Sequence, residues 1–170
     1  EMCIRDRDKV DTNKVGLAYV RHDLDLSRYK AVWVEWPRLD YLRDPSMASI
    51  PREQIEALRQ FFVRRVTEEL GSEYRVVTGP GNQPVLRFRT TITEMKTSEF
   101  GVGSGYAAIE GEYRDGDTGR LLLAFADKRG GGQLIPGLEK LSDAQGALDY
   151  WARLIRQHLD LMRAEGRGIF

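Results

Sequence analysis

From Val85 to Ile92 the chain alternates without interruption: Val85, Arg87, Arg89 and Thr91 point one way, Leu86, Phe88, Thr90 and Ile92 the other. A period of two with one charged face predicts a strand in a sheet with one wet side. Ala107 to Arg114 repeats the pattern, with Glu110, Glu112 and Arg114 opposed to Ile109, Gly111 and Tyr113. An antiparallel register that sets Arg89 against Glu110 and Arg87 against Glu112 brings opposite charges together. Each such pair adds about 0.2–1 kcal/mol and so selects the register. Asp115-Gly116-Asp117-Thr118-Gly119 is a hairpin loop leading into Arg120 to Lys128. Pairing Tyr113 with Leu121 and Ile109 with Phe125 joins their apolar sides. Two further strands are expected: Lys30 to Trp36, rich in β-branched and aromatic residues and stopped by Pro37, and Tyr74 to Val77 before the turn Gly79-Pro80-Gly81-Asn82.

Elsewhere the period lengthens to three and four. Ile55, Leu58, Phe62, Val66 and Leu70 make one apolar stripe, predicting a helix from Pro51 to Leu70. Proline suits its first turn, and Gly71 is placed to end it in a left-handed conformation. Ala144, Leu148, Trp151, Ile155, His158, Leu159 and Met162 stripe a second helix from Ser142 to Ala164, with a capping-box pattern at Ser142 and Gln145. The order is strand, helix, several strands, helix, with no βαβ series and no repeat. The fold class expected is therefore α+β: a two-layer sandwich, mostly antiparallel mixed sheet, with both amphipathic helices on one face.

Composition narrows the functions. A chain of 170 residues is one domain by default. Its 26 basic and 26 acidic side chains balance, which leaves no electrostatic footprint for nucleic acid or an anionic membrane surface. The sole cysteine, Cys3, excludes an internal disulfide framework and any multi-thiolate metal site. It falls in Met2-Cys3-Ile4-Arg5-Asp6, which resembles an accidentally translated transposon adapter. Residues 1–7 are accordingly expected to be non-native and residues 8–170 a single domain.

Candidate chemistry is weak at each position. Asp115 and Asp117 suggest a calcium loop, but Gly119, Arg120 and Ala126 stand at the later ligand positions, and a hairpin turn explains them better. Gly101 to Gly105 lacks the helix that a phosphate loop opens and the Gly-Lys-Ser/Thr that follows one. His22, Asp23 and Asp25 could hold a divalent metal or serve a hydrolase, yet no second histidine or thiolate stands at ligand spacing. His158 follows an apolar stripe, and Glu110 with Glu112 is better explained by pairing than by acid–base work. No catalytic residue, cofactor site or metal site is assigned. The aromatics outside the stripes, Trp36, Tyr41, Phe100 and Tyr106, either cap the core or form a contact surface. A small-ligand or glycan site under a lid from Lys96 to Tyr106 is the alternative.

Three stretches carry a resemblance. Tyr19-Val20-Arg21 followed by Asp25-Leu26-Ser27-Arg28-Tyr29, then Ile109-Glu110-Gly111-Glu112 with Arg114-Asp115 and Thr118-Gly119, then Tyr150-Trp151-Ala152-Arg153 with Leu159-Asp160, are similar to a bacterial lipoprotein family known as domain of unknown function thirty-three thirteen. His22 stands where that family's pattern leads one to expect proline. The resemblance implies a periplasmic domain of an envelope lipoprotein, outer-membrane anchored through a lipidated cysteine upstream. It implies no enzyme activity and no cofactor. The expected role is non-catalytic, in protein–protein assembly or envelope maintenance, with an envelope protein partner or self-association. Membrane contact would come only through the lipid anchor.

Overall fold

The alternating strands form the centre of one mixed sheet in a computed structural model, which describes residues 7–10, 17–21, 23–96, 106–130 and 142–165. In chain order the strands are β1 Arg7–Val10, β2 Leu17–Arg21, β3 Ala31–Val34, β4 Arg38–Leu39, β5 Arg75–Val77, β6 Val85–Lys96, β7 Tyr106–Asp115 and β8 Leu121–Gly130. The helices are α1 Arg52–Gly71 and α2 Ser142–Glu165, with a short 3-10 helix at Pro45–Ser49. The sheet runs β1-β2-β8-β7-β6-β3-β5, and β4 joins it by pairing with β6. β3 lies parallel to both β5 and β6, and β4 is parallel to β6. The remaining pairs are antiparallel. β1 begins at Arg7, inside the segment expected to be non-native.

The α1 stripe Ile55, Leu58, Phe62, Val66 and Leu70 is fully buried, as are Leu148, Trp151, Ile155, His158, Leu159 and Met162 of α2. Leu58, Phe62, Val66 and Leu70 of α1 and Leu148, Trp151, Ile155, Leu159 and Met162 of α2 join one core with Leu86, Phe88, Ile92, Ile109, Tyr113, Leu123 and Phe125 from the sheet. The two helices thus pack together over a single face, as the sandwich expectation requires. The side chains of Ser142 and Ala144 lie outside the described residues. Pro51 sits one position before α1, and its carbonyl accepts from the amides of Gln54 and Ile55 at 2.9 and 3.2 Å. Gly71 is the last residue of the helix rather than a left-handed cap, since Ser72 after it keeps helical dihedrals.

Both expected charge and hairpin registers are corrected by two residues. Arg89 faces Glu112, Arg87 faces Arg114, and Thr91 faces Glu110. The faces are unchanged, because a slip of two preserves the alternation. The register is fixed by a backbone clamp: the Gly116 amide donates to the Val85 carbonyl at 2.9 Å. A Cβ on Gly116 would lie 2.6 Å from that oxygen, so the clamp needs glycine. In the hairpin, Tyr113 faces Leu123 and Ile109 faces Asp127. One residue of the shift arises at the turn, where the Asp115 amide bonds the Arg120 carbonyl and Arg114 faces Leu121, and the second is a bulge at Leu122 before the pair Tyr113–Leu123.

That shift sets Phe125 opposite Gly111. Two atoms of the Phe125 ring occupy the space where a Gly111 Cβ would stand, only 2.2 Å from its ideal position. Gly111→Ala is therefore expected to destabilise by about 2–3 kcal/mol through overpacking. Urea unfolding would measure it, and pairing with Phe125→Leu should recover part of the loss.

Candidate interaction surface

Beyond β3 the chain breaks at Trp36-Pro37 and resumes as β4, still on the β6 edge: the Glu35 amide donates to Phe88 O and the Asp40 amide to Ile92 O. Pro37 cannot donate, and it falls where the chain changes from one short strand to the next. The Pro37 carbonyl turns away from β6 and accepts from Arg59 Nε of α1 at 2.8 Å. The same guanidinium lies 5.1 Å from the centroid of the Trp36 ring and bonds Glu56 at 2.7 Å. Trp36 stays 44% exposed. Arg59 thus holds the strand break, the indole and the helix together.

The next turn presents two more apolar groups. Asp40 receives the Arg43 amide on both its carbonyl and its carboxylate, at 3.2 and 3.1 Å. Asp44 accepts from the Ser46 amide and hydroxyl and from the Met95 amide of β6 at 3.1 Å. The Ser46 hydroxyl, the leading cause, holds the Asp44 carboxyl below its ordinary range. Arg43 pairs with Glu110 on the wet face and with Asp40. Tyr41 and Leu42 are therefore at the tip of a turn pinned from both ends, 43% and 96% exposed. Leu42 escapes sequence reasoning, because an isolated leucine in a loop has no periodicity to expose it.

Between β4 and the start of α1 lies an open trough of about 840 Å³. Tyr41 forms one wall, Arg38 and Arg52 stand on its rims, and Ile55 and Met47 close its floor. Arg59, which holds Trp36, lines the same trough as Tyr41. Tyr106 does not line the trough. It pairs with Lys96, the residue after Met95, whose amide bonds Asp44 of the neighbouring turn. Its half-buried ring is covered by the Lys128 ammonium at 4.2 Å. Phe100, and residues 97–105 of the lid expected from Lys96 to Tyr106, lie outside the described residues.

The remaining candidate groups have structural occupations. Asp23 bonds Arg21 at 2.7 Å, which leads in lowering its pKa, and approaches Arg120 at 3.8 Å. Asp25 accepts from the Ser27 amide and hydroxyl at 2.9 and 2.6 Å, closing a local turn. His22 lies outside the described residues. Among the described residues, no three His, Cys, Asp or Glu side chains converge as a metal site. On the wet face Glu35 bonds both Arg87 and Arg89, and Glu112 bonds Arg114 at 2.8 Å with Arg89 at 3.9 Å. Burial pushes the Glu35 carboxyl upward, but the two guanidinium bonds outweigh it and leave the pKa lowered.

These features define a two-layer α+β domain with its charged sheet face tied in ion pairs and, among the described residues, large exposed apolar groups at Trp36, Tyr41 and Leu42. The chain belongs to the protein family of unknown function DUF3313, whose model matches residues 6–104 and 100–155. No curated protein matches it significantly. Among solved structures, the chain is similar to a point variant of the PelC dodecamer from Paraburkholderia phytofirmans: identity 12%, TM-score 0.51, covering 78% of this chain and 91% of that one. A second PelC dodecamer from the same organism matches at 10% identity and TM-score 0.50, over 78% of this chain and 89% of that one. A minor lipoprotein from Acinetobacter baumannii matches at 13% identity and TM-score 0.45, over 79% and 95%. At these identities the likeness is one of fold. No helix among the described residues is long and apolar enough to cross a membrane.

Proposed function

We propose that this is a non-catalytic domain of a bacterial envelope lipoprotein, acting in protein–protein assembly in the periplasm. The observation that carries the reading is the corner where Trp36, Tyr41 and Leu42 stand exposed on backbone hydrogen-bonded at both ends. Aromatic side chains on a fixed scaffold lose little entropy on contact and commonly anchor interfaces. PelC, which shares the fold, is a dodecamer in its crystals, and this supports self-association as one form of the assembly. The described candidates Asp23, Asp25, Glu110 and Glu112 are engaged in turns and ion pairs instead, which supports a non-catalytic role.

Trp36→Ala with Tyr41→Ala tests the reading, since both side chains are substantially exposed and the fold should tolerate the change. Losing two anchors is expected to cost about 2–4 kcal/mol of association, a weakening of roughly thirtyfold or more. Light scattering of the purified chain and affinity capture from the envelope fraction would detect it. Unchanged mass and unchanged complexes together would refute the proposal.

A further inference from the structure

We propose that the trough between β4 and α1 receives an extended, acidic segment of a partner protein, an inference that rests on the assembly reading and names the partner's chemistry. Three observations carry it. The first is an open strand edge. β5 covers β3 only from Ala31 to Trp33, and β4 pairs with β6 alone, so beyond Trp33 the outer side of this strand has no paired strand among the described residues. Backbone groups alternate sides along a strand. With the Asp40 amide directed at β6 and the Pro37 carbonyl directed outward to Arg59, the N–H and C=O of Leu39 face the trough. An extended peptide can pair with such an edge, and a helix alongside supplies the second wall.

The second observation is the chemistry of the trough itself. Leu39 and Ile50 are half-buried beside the buried Ile55, giving an apolar floor for alternate side chains of the segment. The third is charge. The lining holds Arg38, Arg52 and Arg59 against Glu56 alone. Arg59 is bonded to Glu56, whereas Arg38 and Arg52 are exposed and have no ion-pair partner among the described residues. In a molecule whose sheet face is so thoroughly paired, two unpaired arginines on opposite rims are a local excess of positive charge. Carboxylates on an incoming strand match it, and guanidinium groups bind carboxylates with defined geometry. The concave shape and open edge favour a peptide over a membrane surface.

The test is selection from a displayed random-peptide library against the wild-type chain and Arg38→Glu/Arg52→Glu. Arg38→Gln/Arg52→Gln serves as a second variant in case the double reversal fails to melt cooperatively. Enrichment of sequences with acidic and apolar residues in alternation is expected. A labelled enriched peptide should lose affinity by about tenfold or more on either double variant, steeply with salt, and should shift the Leu39 amide resonance. No enrichment, enrichment of sequences without acids, or affinity indifferent to both variants would overturn the inference. Vesicles of phosphatidylethanolamine with phosphatidylglycerol form a parallel arm. Vesicle binding lost on charge reversal, with no peptide enriched, also overturns it and points to a membrane contact. Trp36 and Tyr41 are intact in these variants, so the two readings fail separately. Peptide binding at the trough with undisturbed complexes in the Trp36/Tyr41 variant sinks only the assembly role of that corner. Loss of complexes there, with an inert trough, sinks only this inference.

Discussion

Asp115→Ala is expected to destabilise the domain by about 3–5 kcal/mol, because one carboxylate organises the hairpin turn and ties it to the N-terminal lead-in. Its Oδ1 accepts from the Asp117 amide at 3.1 Å, the Thr118 amide at 2.8 Å and the Thr118 hydroxyl at 3.0 Å. Its Oδ2 accepts from the Tyr29 hydroxyl at 2.8 Å and lies 3.5 Å from Arg28. The turn they close has Gly119 at φ 70°, a left-handed conformation that glycine takes without strain. Burial by itself would push the Asp115 carboxyl upward. Hydrogen bonds from Thr118, Tyr29 and Asp117 outweigh it and leave the pKa at about 2, against an ordinary 3.8. The folded state therefore holds the charged form more tightly than the unfolded chain does. That contribution, about 2–3 kcal/mol, is fully present above pH ~4 and is lost as pH falls through 3.8 toward 2. Asp115→Asn keeps an acceptor for the turn but removes the titration. Its urea midpoint should be lower at neutral pH, and its deficit against wild type should shrink toward pH 2.

Trp151→Ala should be equally damaging, at about 4–5 kcal/mol. Trp151 is the largest fully buried side chain among the described residues. Removing it leaves a cavity in the layer where α2 meets the sheet, and Trp→Ala changes in cores cost about 3–5 kcal/mol. The indole N–H also donates to Asp127 Oδ2 at 2.8 Å, and Arg129 bonds the same oxygen at 2.8 Å. Trp151→Phe refills most of the volume and leaves Asp127 its bond to Arg129, so a cost nearer ~1–2 kcal/mol is expected. For a domain of this size the alanine variant should melt roughly 10–15 °C lower. Calorimetry on the three forms would rank them wild type, phenylalanine, alanine.

Periodicity made most of the fold legible. The two helical stripes and the alternating faces of β6 and β7 follow from where apolar side chains must go, and each residue of those stripes that is described is buried. Register was not legible, because cross-strand charge pairing is worth less than a backbone clamp. Arg87 is drawn to Glu35 on β3 rather than to β7, and nothing local in the sequence announces that Gly116 will bond Val85. Likewise Asp115 looked like part of a bland loop, although its carboxylate is buried and satisfied from five directions counting Arg28. At the candidate site, Trp36 and Tyr41 could be picked out as aromatics outside any stripe. That Arg59 both holds Trp36 and lines a trough with Tyr41 could not, since it depends on α1 folding back beside β4, a long-range fact that local pattern does not encode. Tyr106, an aromatic outside the stripes like them, stands on β7 opposite Lys96 and does not line the trough.

The Trp36–Tyr41–Leu42 corner is thus proposed as the working surface of the domain. The most direct measurement is photo-crosslinking in living cells, with benzoylphenylalanine placed at Leu42 and, as comparison, at Arg153 on the exposed side of α2. Discrete adducts from position 42 and none from position 153 are the expected result. Adducts from position 153 with none from position 42 would contradict it.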